Sequence, residues 1–216
     1  IHDREALLRE TCRIAVEHGK FKLVWVAWVN QQEHRIQPVE WAGFTSSMAH
    51  GLTWEKTFNM PGATLPEVIR TRKVAVRNDI DPEQTAGSLR REAMNRGCRS
   101  TVCVPFKVDD GVVAAMILFA EGRNFFDDEE LTLLNEMSAD VSFALDRIEK
   151  GQKLDKLGRI RAISSEVNSA IIRIHDRETL LREICRIAVE HGKFELVWIG
   201  TVDTAPQQIL PVAWNG

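Results

Sequence analysis

The stretch STVCVPFKVDDGVVAAMILFAEGRNFFDDEEL, residues 100–131, contains the strongest local fold signals in the chain. Two apolar runs flank the DDG segment at 109–111, and an Asp-Gly pair between apolar runs is a strong β-hairpin signal. The stretch ends with Asp127 and, three residues later, Glu130, which is a variant of the capping box that begins helices. It therefore predicts a β-hairpin that leads into a helix.

A long helix is predicted to follow this hairpin, because apolar residues recur every three or four positions from Leu134 to Ile174. They form two runs that are out of phase across the segment from Gly151 to Gly158. A single helix over 128–174 would be about 70 Å long, so its far end would need a partner helix or another domain. Two helices separated near Gly151 are the alternative, although a glycine costs only about 1 kcal/mol within a helix.

The residues before this stretch complete an α+β pattern. An amphipathic helix is predicted over 3–19, with Asp3 as its N-cap. A β-hairpin is predicted from the β-branched and aromatic residues that follow, and Pro38 places its second strand at a sheet edge because proline cannot donate to a ladder. The further predicted elements are the hairpin strands 22–30 and 34–43, an irregular candidate lid at 44–63, a helix at 64–72, a strand at 74–80 and a helix at 87–97.

The beginning of the chain is repeated near its end. Residues 1–43 align without a gap with residues 174–216, and roughly two thirds of the positions are identical. The offset between the two copies is too long for a solenoid repeat and fits a whole domain together with its connector. We therefore expect one complete domain, a connector and the opening of a second domain. The second copy would lack strands to cover its hairpin, so we expect its exposed edge to pair with another chain or to lie against the long helix.

Composition excludes several classes of function. A formal charge of −3 and a pI near 6.1 provide no basic surface for nucleic acid or for anionic lipid. The four cysteines form no CxxC pair, which favours a reducing, cytoplasmic location over a disulfide framework. No stretch approaches the roughly 20 apolar residues of a membrane span. We therefore expect no nucleic-acid partner and no direct membrane contact.

The order of the elements, together with several short motifs, resembles the GAF domain family over residues 1–148. The motifs are Asn78-Asp79-Ile80, Arg99-Ser100, Val104-Pro105, Asp110-Gly111 and the run from Phe126 to Leu131. The resemblance implies an α+β fold of the GAF/PAS-like kind, with an antiparallel sheet of five or six strands, flanking helices and a long C-terminal connecting helix. It divides the chain into a GAF domain at 1–148, a helical linker at 149–174 and the N-terminal part of a second, incomplete GAF domain at 175–216.

The same resemblance implies a regulatory sensor in a bacterial signal-transduction protein, cytoplasmic and without catalytic residues of its own. Effectors of such proteins often lie C-terminal, as a histidine kinase or a GGDEF or EAL cyclic-di-GMP enzyme. The chain has no NKFDE-type motif, which disfavours a cyclic nucleotide. Neither Cys98 nor Cys103 is followed by His, which disfavours a bilin chromophore.

A small-molecule pocket is predicted, and its ligand and any cofactor stay unidentified. Trp25 and Trp28 are three residues apart on one strand, so they point to opposite faces; we expect Trp28 to line the pocket and Trp25 the core, since the second copy keeps Trp198 but has Thr201 in place of Trp28. The alternative is that these side chains only pack. No metal site is predicted. The candidate ligand-binding residues are Trp28, Phe44, Trp54, Phe58, Asn78, Asp79, Ser100 and Cys103.

The leading hypothesis is a sensor in which an unknown small molecule changes the packing of the helix after Asp128, with a homodimer formed through residues 128–174. A ligand-free spacer and dimerisation block is one alternative, with its pocket filled by residues such as Trp28 and Phe58. An enzyme similar to the GAF-fold methionine sulfoxide reductases is another. Its candidate residues, Cys98 and Cys103, are five positions apart, which on a regular strand places them on opposite faces.

Overall fold

The computed structural model describes residues 3–19, 21–43, 53–60, 62–80, 88–203 and 208–216. The chain divides into two compact units, which are residues 1–149 and residues 150–216. Within the described part of the chain no helix is both long and apolar enough to cross a bilayer.

The first unit is built on a five-stranded antiparallel sheet with the order β2-β1-β5-β4-β3. This confirms the predicted α+β fold and both hairpins, and it places β2, which contains Pro38, at an edge. The two residues between β4 and β5 are Asp109 and Asp110, both with positive φ (47° and 63°), so the tight turn is formed by this Asp-Asp pair and Gly111 already belongs to β5. The strands are β1 Leu23–Asn30, β2 Arg35–Ala42, β3 Ala75–Arg77, β4 Cys98–Val108 and β5 Gly111–Glu121.

Helices cover both faces of this sheet. The back face carries α1 (Arg4–Gly19) and the first part of α5 (Asp128–Arg173). The front face carries the short helices α2 (Trp54–Phe58), α3 (Thr64–Thr71) and α4 (Ser88–Asn95). Alternation along β1 separates the two cores, because successive side chains of a strand point to opposite faces.

The long helix α5 is continuous over 46 residues and passes through Gly151 and Gly158 without interruption, so the alternative of two helices is not observed. Asp127 caps it, since its carboxylate accepts a hydrogen bond from the Glu130 amide at 2.9 Å. The first part of α5 packs on the back face through Leu134, Val141 and Leu145. Residues 151–160 are exposed around the whole circumference of the helix.

The second unit contains the end of α5, helix α6 (Arg177–Gly192) and a hairpin of β6 (Val197–Asp203) and β7 (Gln208–Asn215). Its hairpin repeats the register of β1 and β2 residue for residue. Trp25 lies opposite Trp41 in the first hairpin, as Trp198 lies opposite Trp214 in the second. The one irregularity of each register also falls at equivalent positions, after Val26 and after Ile199, so the sequence repeat is a structural repeat of helix and hairpin.

Candidate functional site

An open cleft of about 590 Å³ lies beside the front-face helices of the first unit. Its walls come from the β1–β2 turn, from α2 and α3, from the connection between these helices, and from β3. Several walls are apolar, and the polar groups are concentrated on α3 and β3. The lining residues are Gln31, Phe58, Met60, Gly62, Ala63, Pro66, Glu67, Ile69, Arg70 and Arg77.

The polar side of the cleft carries a net positive charge. Arg77 and Glu67 form an ion pair of 2.6 Å between a guanidinium nitrogen and a carboxylate oxygen, and Arg77 also donates to the Val76 carbonyl at 2.8 Å. Arg70, one turn along α3 from Glu67, has no ion-pair partner among the described residues. Among the described residues, the cleft therefore combines one guanidinium outside any ion pair with apolar walls, and this combination suits an anionic group attached to an apolar body.

Two of the predicted ligand-binding residues lie together at this end of the front face. Trp54 and Phe58, one turn apart on α2, stack with ring centroids 4.1 Å apart and planes inclined by 16°. The His34 ring lies 5.2 Å from Trp54. Phe58 lines the cleft, and Trp54 packs against the front-face core. Phe44, another predicted aromatic residue, lies outside the described residues.

Of the two tryptophans of β1, Trp25 lies in the core as expected, whereas Trp28 does not line the cleft. Trp25 is fully buried in the front-face core, while Trp28 packs against the back-face core beside α1. The guanidinium of Arg4 lies 5.1 Å from the centre of the Trp28 ring, and Arg4 also pairs with Glu149 at 3.4 Å. The assignment of opposite faces is correct, but Trp28 faces away from the front-face cleft and is covered by the N-terminal helix. The replacement of Trp28 by Thr201 in the second copy therefore did not indicate which face of the sheet Trp28 occupies.

The cysteines of β4 also differ from the expectation, because Cys98 and Cys103 both belong to the front-face core. The register of β4 with β5 shifts between Cys98 and Ser100, so Arg99 is an extra residue in the strand. Such a bulge reverses the alternation and brings Cys98 onto the face of Cys103.

Burial makes both thiols poor nucleophiles. It raises the pKa of Cys103 far above its usual range, an effect only partly opposed by a hydrogen bond with the Thr64 side chain. Burial also raises the pKa of Cys98, with the nearby Glu121 carboxylate acting in the same direction. Reactive cysteines have lowered pKa values and some exposure, so these two thiols fit packing better than redox chemistry. The described residues also contain no group of three or more side chains arranged to hold a metal ion.

Asn78 does not face the cleft but joins the end of β3 to the start of α5. Its side-chain amide donates to the Phe126 carbonyl at 2.8 Å, and its side-chain oxygen accepts from the Phe126 amide at 3.1 Å. Its backbone carbonyl accepts from the Asn124 amide at 2.8 Å. Phe126 is itself buried and immediately precedes the Asp127 cap of α5. The polar groups of the Asn78 side chain are thus used within the protein.

Ser100 and Asp79 belong to the same junction. The Ser100 hydroxyl lies 3.0 Å from the Asn78 carbonyl and 3.0 Å from the Gly122 carbonyl, and it accepts from the Phe125 amide at 3.4 Å. Asp79 forms an exposed ion pair of 2.9 Å with Arg123. We call this set of contacts the Asn78 junction. The NDI and Arg-Ser motifs thus fasten the segment after β3 to the entry of the long helix.

Six of the eight predicted site residues therefore form three groups, while Trp28 lies on the back face and Phe44 lies outside the described residues. Trp54 and Phe58 stand at the cleft, Cys103 lies inside the core beneath the front-face helices, and Asn78, Asp79 and Ser100 form the junction with α5. Sequence analysis missed Arg70 and Gln31 as cleft residues. The only sequence signal for Arg70 was its place one turn after Glu67 on an amphipathic helix. Several arginines are exposed, and tertiary structure decides which of them has no ion-pair partner among the described residues.

Comparison with known proteins links the first unit to one family. The family model described as GAF domain matches residues 1–146. No curated protein matches the chain. Solved structures similar to the chain include a GAF domain/HD domain protein from Geobacter sulfurreducens, with 14% identity, a TM-score of 0.51, and coverage of 68% of this chain and 94% of that one.

Two further solved structures share this fold. Residues 122 to 287 of a methyl-accepting chemotaxis protein match with 14% identity and a TM-score of 0.52, covering 68% of this chain and 92% of that one. A type II free methionine-R-sulfoxide reductase from Thermoplasma acidophilum matches with 11% identity and a TM-score of 0.50, covering 64% of this chain and 89% of that one. At these identities the likeness concerns the fold.

Proposed function

The chain belongs to the GAF domain family, and on that premise we propose that its first unit is a small-molecule sensor whose signal leaves through α5. The observation that carries this proposal is the Asn78 junction. A ligand in the cleft contacts α3 and β3, and β3 ends where Asn78 holds both backbone groups of Phe126. A displacement of β3 is therefore transmitted to the residue that precedes the helix cap.

The cleft favours a ligand with a carboxylate or phosphate group and an apolar portion. Arg70 supplies a guanidinium without an ion-pair partner among the described residues, and the Glu67–Arg77 pair beside it offers a second cation. Phe58 and Ile69 supply apolar contact. Charge-assisted hydrogen bonds to guanidinium are among the strong polar contacts in proteins, so the anionic group would contribute most of the orientation.

The exposed part of α5 is proposed to form a homodimer. Leu154, Leu157 and Ile160 are each about half exposed or more, and they lie on one side of a stretch that no element among the described residues covers. Apolar residues at this spacing typically bury against the equivalent stripe of a second helix. A ligand can then shift signalling only if it binds more tightly to one arrangement of the paired helices than to another.

The effector is proposed to be a signalling domain outside these residues, such as a histidine kinase or a GGDEF or EAL cyclic-di-GMP enzyme. The fold likeness to a region of a methyl-accepting chemotaxis protein supports a signalling role in general. A cytoplasmic location is proposed because the four cysteines are free, which suits a reducing compartment.

The ligand-free spacer is the second candidate function, and one observation favours it. The front-face core beneath α3 is closely filled, with Trp25, Leu65 and Cys103 fully buried or nearly so, so a ligand would be confined to the open cleft. Enzymatic activity of the sulfoxide-reductase kind is disfavoured because the buried Cys98 and Cys103 thiols have raised pKa values.

Binding is tested by thermal shift with a panel of carboxylate- and phosphate-bearing small molecules. We expect at least one compound to raise the melting temperature of the wild-type protein and to lose most of that effect in Arg70→Gln. The matched control is Arg35→Gln, which removes an exposed arginine of β2 that does not line the cleft. Equal shifts in all three proteins would place the binding site elsewhere.

The relay is tested by disulfide trapping between two copies that carry Leu154→Cys, because the four native cysteines are buried. We expect the bound compound to change the trapping rate in this protein and to leave it unchanged when Asn78→Ala is added, although the compound still binds. An unchanged rate in the first protein would favour the spacer. Leu157→Glu should abolish trapping, whereas Gln152→Glu, which adds the same charge on the opposite side of the helix, should not.

A further inference from the structure

A second cavity of the first unit lies between the back-face helix α1 and the edge strand β2, and we call it the α1–β2 groove. It shares no lining residue with the front-face cleft. Its volume of about 520 Å³ is within the range of small-molecule pockets. The apolar part of its lining includes Cys12, Val16 and Ala42, and charged side chains of both elements complete it.

The charges that line this groove are not balanced. Three carboxylates and two guanidiniums line it, which leaves one negative charge in excess. Both guanidiniums already have close carboxylate partners on α1. Arg13 donates to Glu10 with 2.9 Å between nitrogen and oxygen, and it also pairs with Glu17. Arg9 pairs with Glu5 at 3.1 Å. The cations of α1 are therefore largely neutralised within their own helix.

Glu40 on β2 is the carboxylate of the groove that is least neutralised. Among the described residues its ion pair is with Arg9, whose nitrogen lies 3.8 Å from the carboxylate oxygen, which is too long for a hydrogen bond. The other carboxylate oxygen accepts from the Trp41 amide at 3.2 Å. An exposed ion pair of this length contributes little, so a ligand cation displaces it easily. Burial raises the pKa of Cys12 and the Glu40 carboxylate raises it further, so the negative charge acts on the apolar part of the groove.

The second copy of helix and hairpin repeats this scaffold without the carboxylate. The four charged residues that α1 contributes to the groove are all retained at the equivalent positions of α6, but Ala213 takes the place of Glu40. Ala213 is buried, whereas the Glu40 side chain is 36% exposed. The chain therefore contains one version of this structure with the carboxylate and one without it, which is an internal comparison for the role of Glu40.

We propose that the α1–β2 groove binds a small organic cation with an apolar body, such as an alkylamine, and that Glu40 anchors its charge. The ammonium group donates to the Glu40 carboxylate, and a charge-assisted hydrogen bond of this kind is a strong polar contact. The apolar body lies against Cys12, Val16 and Ala42, where it leaves water. This site is separate from the front-face cleft, whose charge favours an anionic ligand, so either site can exist without the other.

The experiment titrates the isotope-labelled full chain with hexylamine and, separately, with hexanoate, and it follows the backbone amide shifts by NMR. The two probes share their alkyl chain length class and carry opposite charges. We expect hexylamine to cause saturable shifts at residues 6–17 and 40–42, with a Kd of about a millimolar because the probe is small. Hexanoate should leave these amides unshifted, because the carboxylates of the groove repel it.

The variant that tests the anchor is Glu40→Gln, which keeps the shape of the side chain and its acceptor for the Trp41 amide but removes the charge. We expect the affinity for hexylamine to fall by about tenfold or more. The matched control is Glu33→Gln, which removes a carboxylate from the exposed β1–β2 turn outside the groove and should leave the affinity unchanged. In the second copy, the amides of residues 182–190 and 213 should not shift, because Ala213 supplies no carboxylate.

Four results would overturn the proposal. The first is the absence of any saturable shift at residues 6–17 with hexylamine. The second is equal affinity for hexylamine in the wild type and in Glu40→Gln, because the carboxylate would then not be the anchor. The third is binding of hexanoate as tight as that of hexylamine, which would make the groove an anion site of Arg9 and Arg13. The fourth is an equal shift in both copies, which would assign binding to the shared helix and hairpin rather than to Glu40.

Discussion

The two hairpins of this chain are built from nearly the same sequence and differ in what surrounds them. Both follow a helix of 16 residues, both contain a tryptophan pair across the strands, and both have their irregularity at the same position. In the first unit, Trp25 is fully buried, because β5 pairs beside its strand and the front-face helices cover it. In the second unit, the equivalent Trp198 is more than half exposed.

The comparison shows which features of a hairpin follow from its own sequence and which depend on the elements around it. Strand pairing and register are present in both copies, so they follow from the local sequence and the packing of the preceding helix. Burial of the hairpin face that contains the first tryptophan is present only in the first unit, and the elements that bury it lie far along the chain. Because burying a large apolar side chain contributes about 1.5–3 kcal/mol, the first hairpin should be much the more stable of the two.

The largest expected effect is on the matched tryptophans. Trp25→Ala should destabilise the first unit by about 3–5 kcal/mol, since it empties a large volume in a closed core. Trp198→Ala should cost about 1 kcal/mol or less, because most of that side chain already contacts solvent. Denaturant unfolding followed by peptide-resolved hydrogen exchange reports each unit separately.

The control for this comparison is phenylalanine at the same two positions. The indole nitrogen of Trp25 is buried without a hydrogen-bond partner in the described structure, so Trp25→Phe should cost far less than Trp25→Ala. A cost for Trp198→Ala equal to that of Trp25→Ala would mean that the Trp198 side chain is buried in solution.

Sequence alone predicted most of the fold of the first unit, because its elements have strong local signals. The hairpin around Asp109, the cap at Asp127 and the edge position of Pro38 each follow from turn, cap and backbone chemistry. β3 is shorter than the predicted strand at 74–80 because Asn78 turns away to bind the start of α5.

The candidate site was harder to predict, because the sheet face on which a side chain lies and the groups that it contacts both depend on tertiary structure. Alternation correctly separated Trp25 from Trp28 but could not say which face carries the cleft. One bulge residue, Arg99, was enough to bring Cys98 onto the face of Cys103. The NDI motif identified the family, but its role in holding Phe126 becomes visible only when β3 and α5 are placed together.

A smaller effect should appear in the pH dependence of the unfolding free energy of the first unit. Burial, assisted by the Glu40 carboxylate, raises the pKa of Cys12 from 9.0 to about 12. The thiol therefore stays protonated in the folded state while the unfolded chain releases its proton near pH 9. Stability from this group is complete below pH 9 and is lost as pH rises towards 12, amounting to about 1.4 kcal/mol between pH 8 and pH 10.

The check is the alkaline slope of the unfolding free energy of the first unit in wild type and in Cys12→Ala. The variant should lose less stability over this pH range, whatever its stability at pH 7. Cys185, the equivalent in the second copy, also has its pKa raised by burial, so a thiol reagent provides a further comparison. We expect Cys185 to react faster than Cys12, because the half-covered hairpin opens more often, and the reverse order would contradict the difference in stability.

The smallest expected effect is the loss of the helix N-cap, and it should be equal in the two copies. Asp3 accepts from the Ala6 amide at 3.3 Å at the start of α1, and Asp176 accepts from the Thr179 amide at 2.8 Å at the start of α6. Replacing either aspartate by alanine should cost about 1 kcal/mol, since a cap acts on the first turn of its own helix and does not depend on what covers the hairpin. Hydrogen exchange over the first turn of each helix measures this, with Asp→Asn at the same positions as the conservative control. Equal costs would leave the covering elements as the source of the contrast between the copies, whereas a much larger cost at Asp176 would show that the second unit depends on its helix for the order of its hairpin.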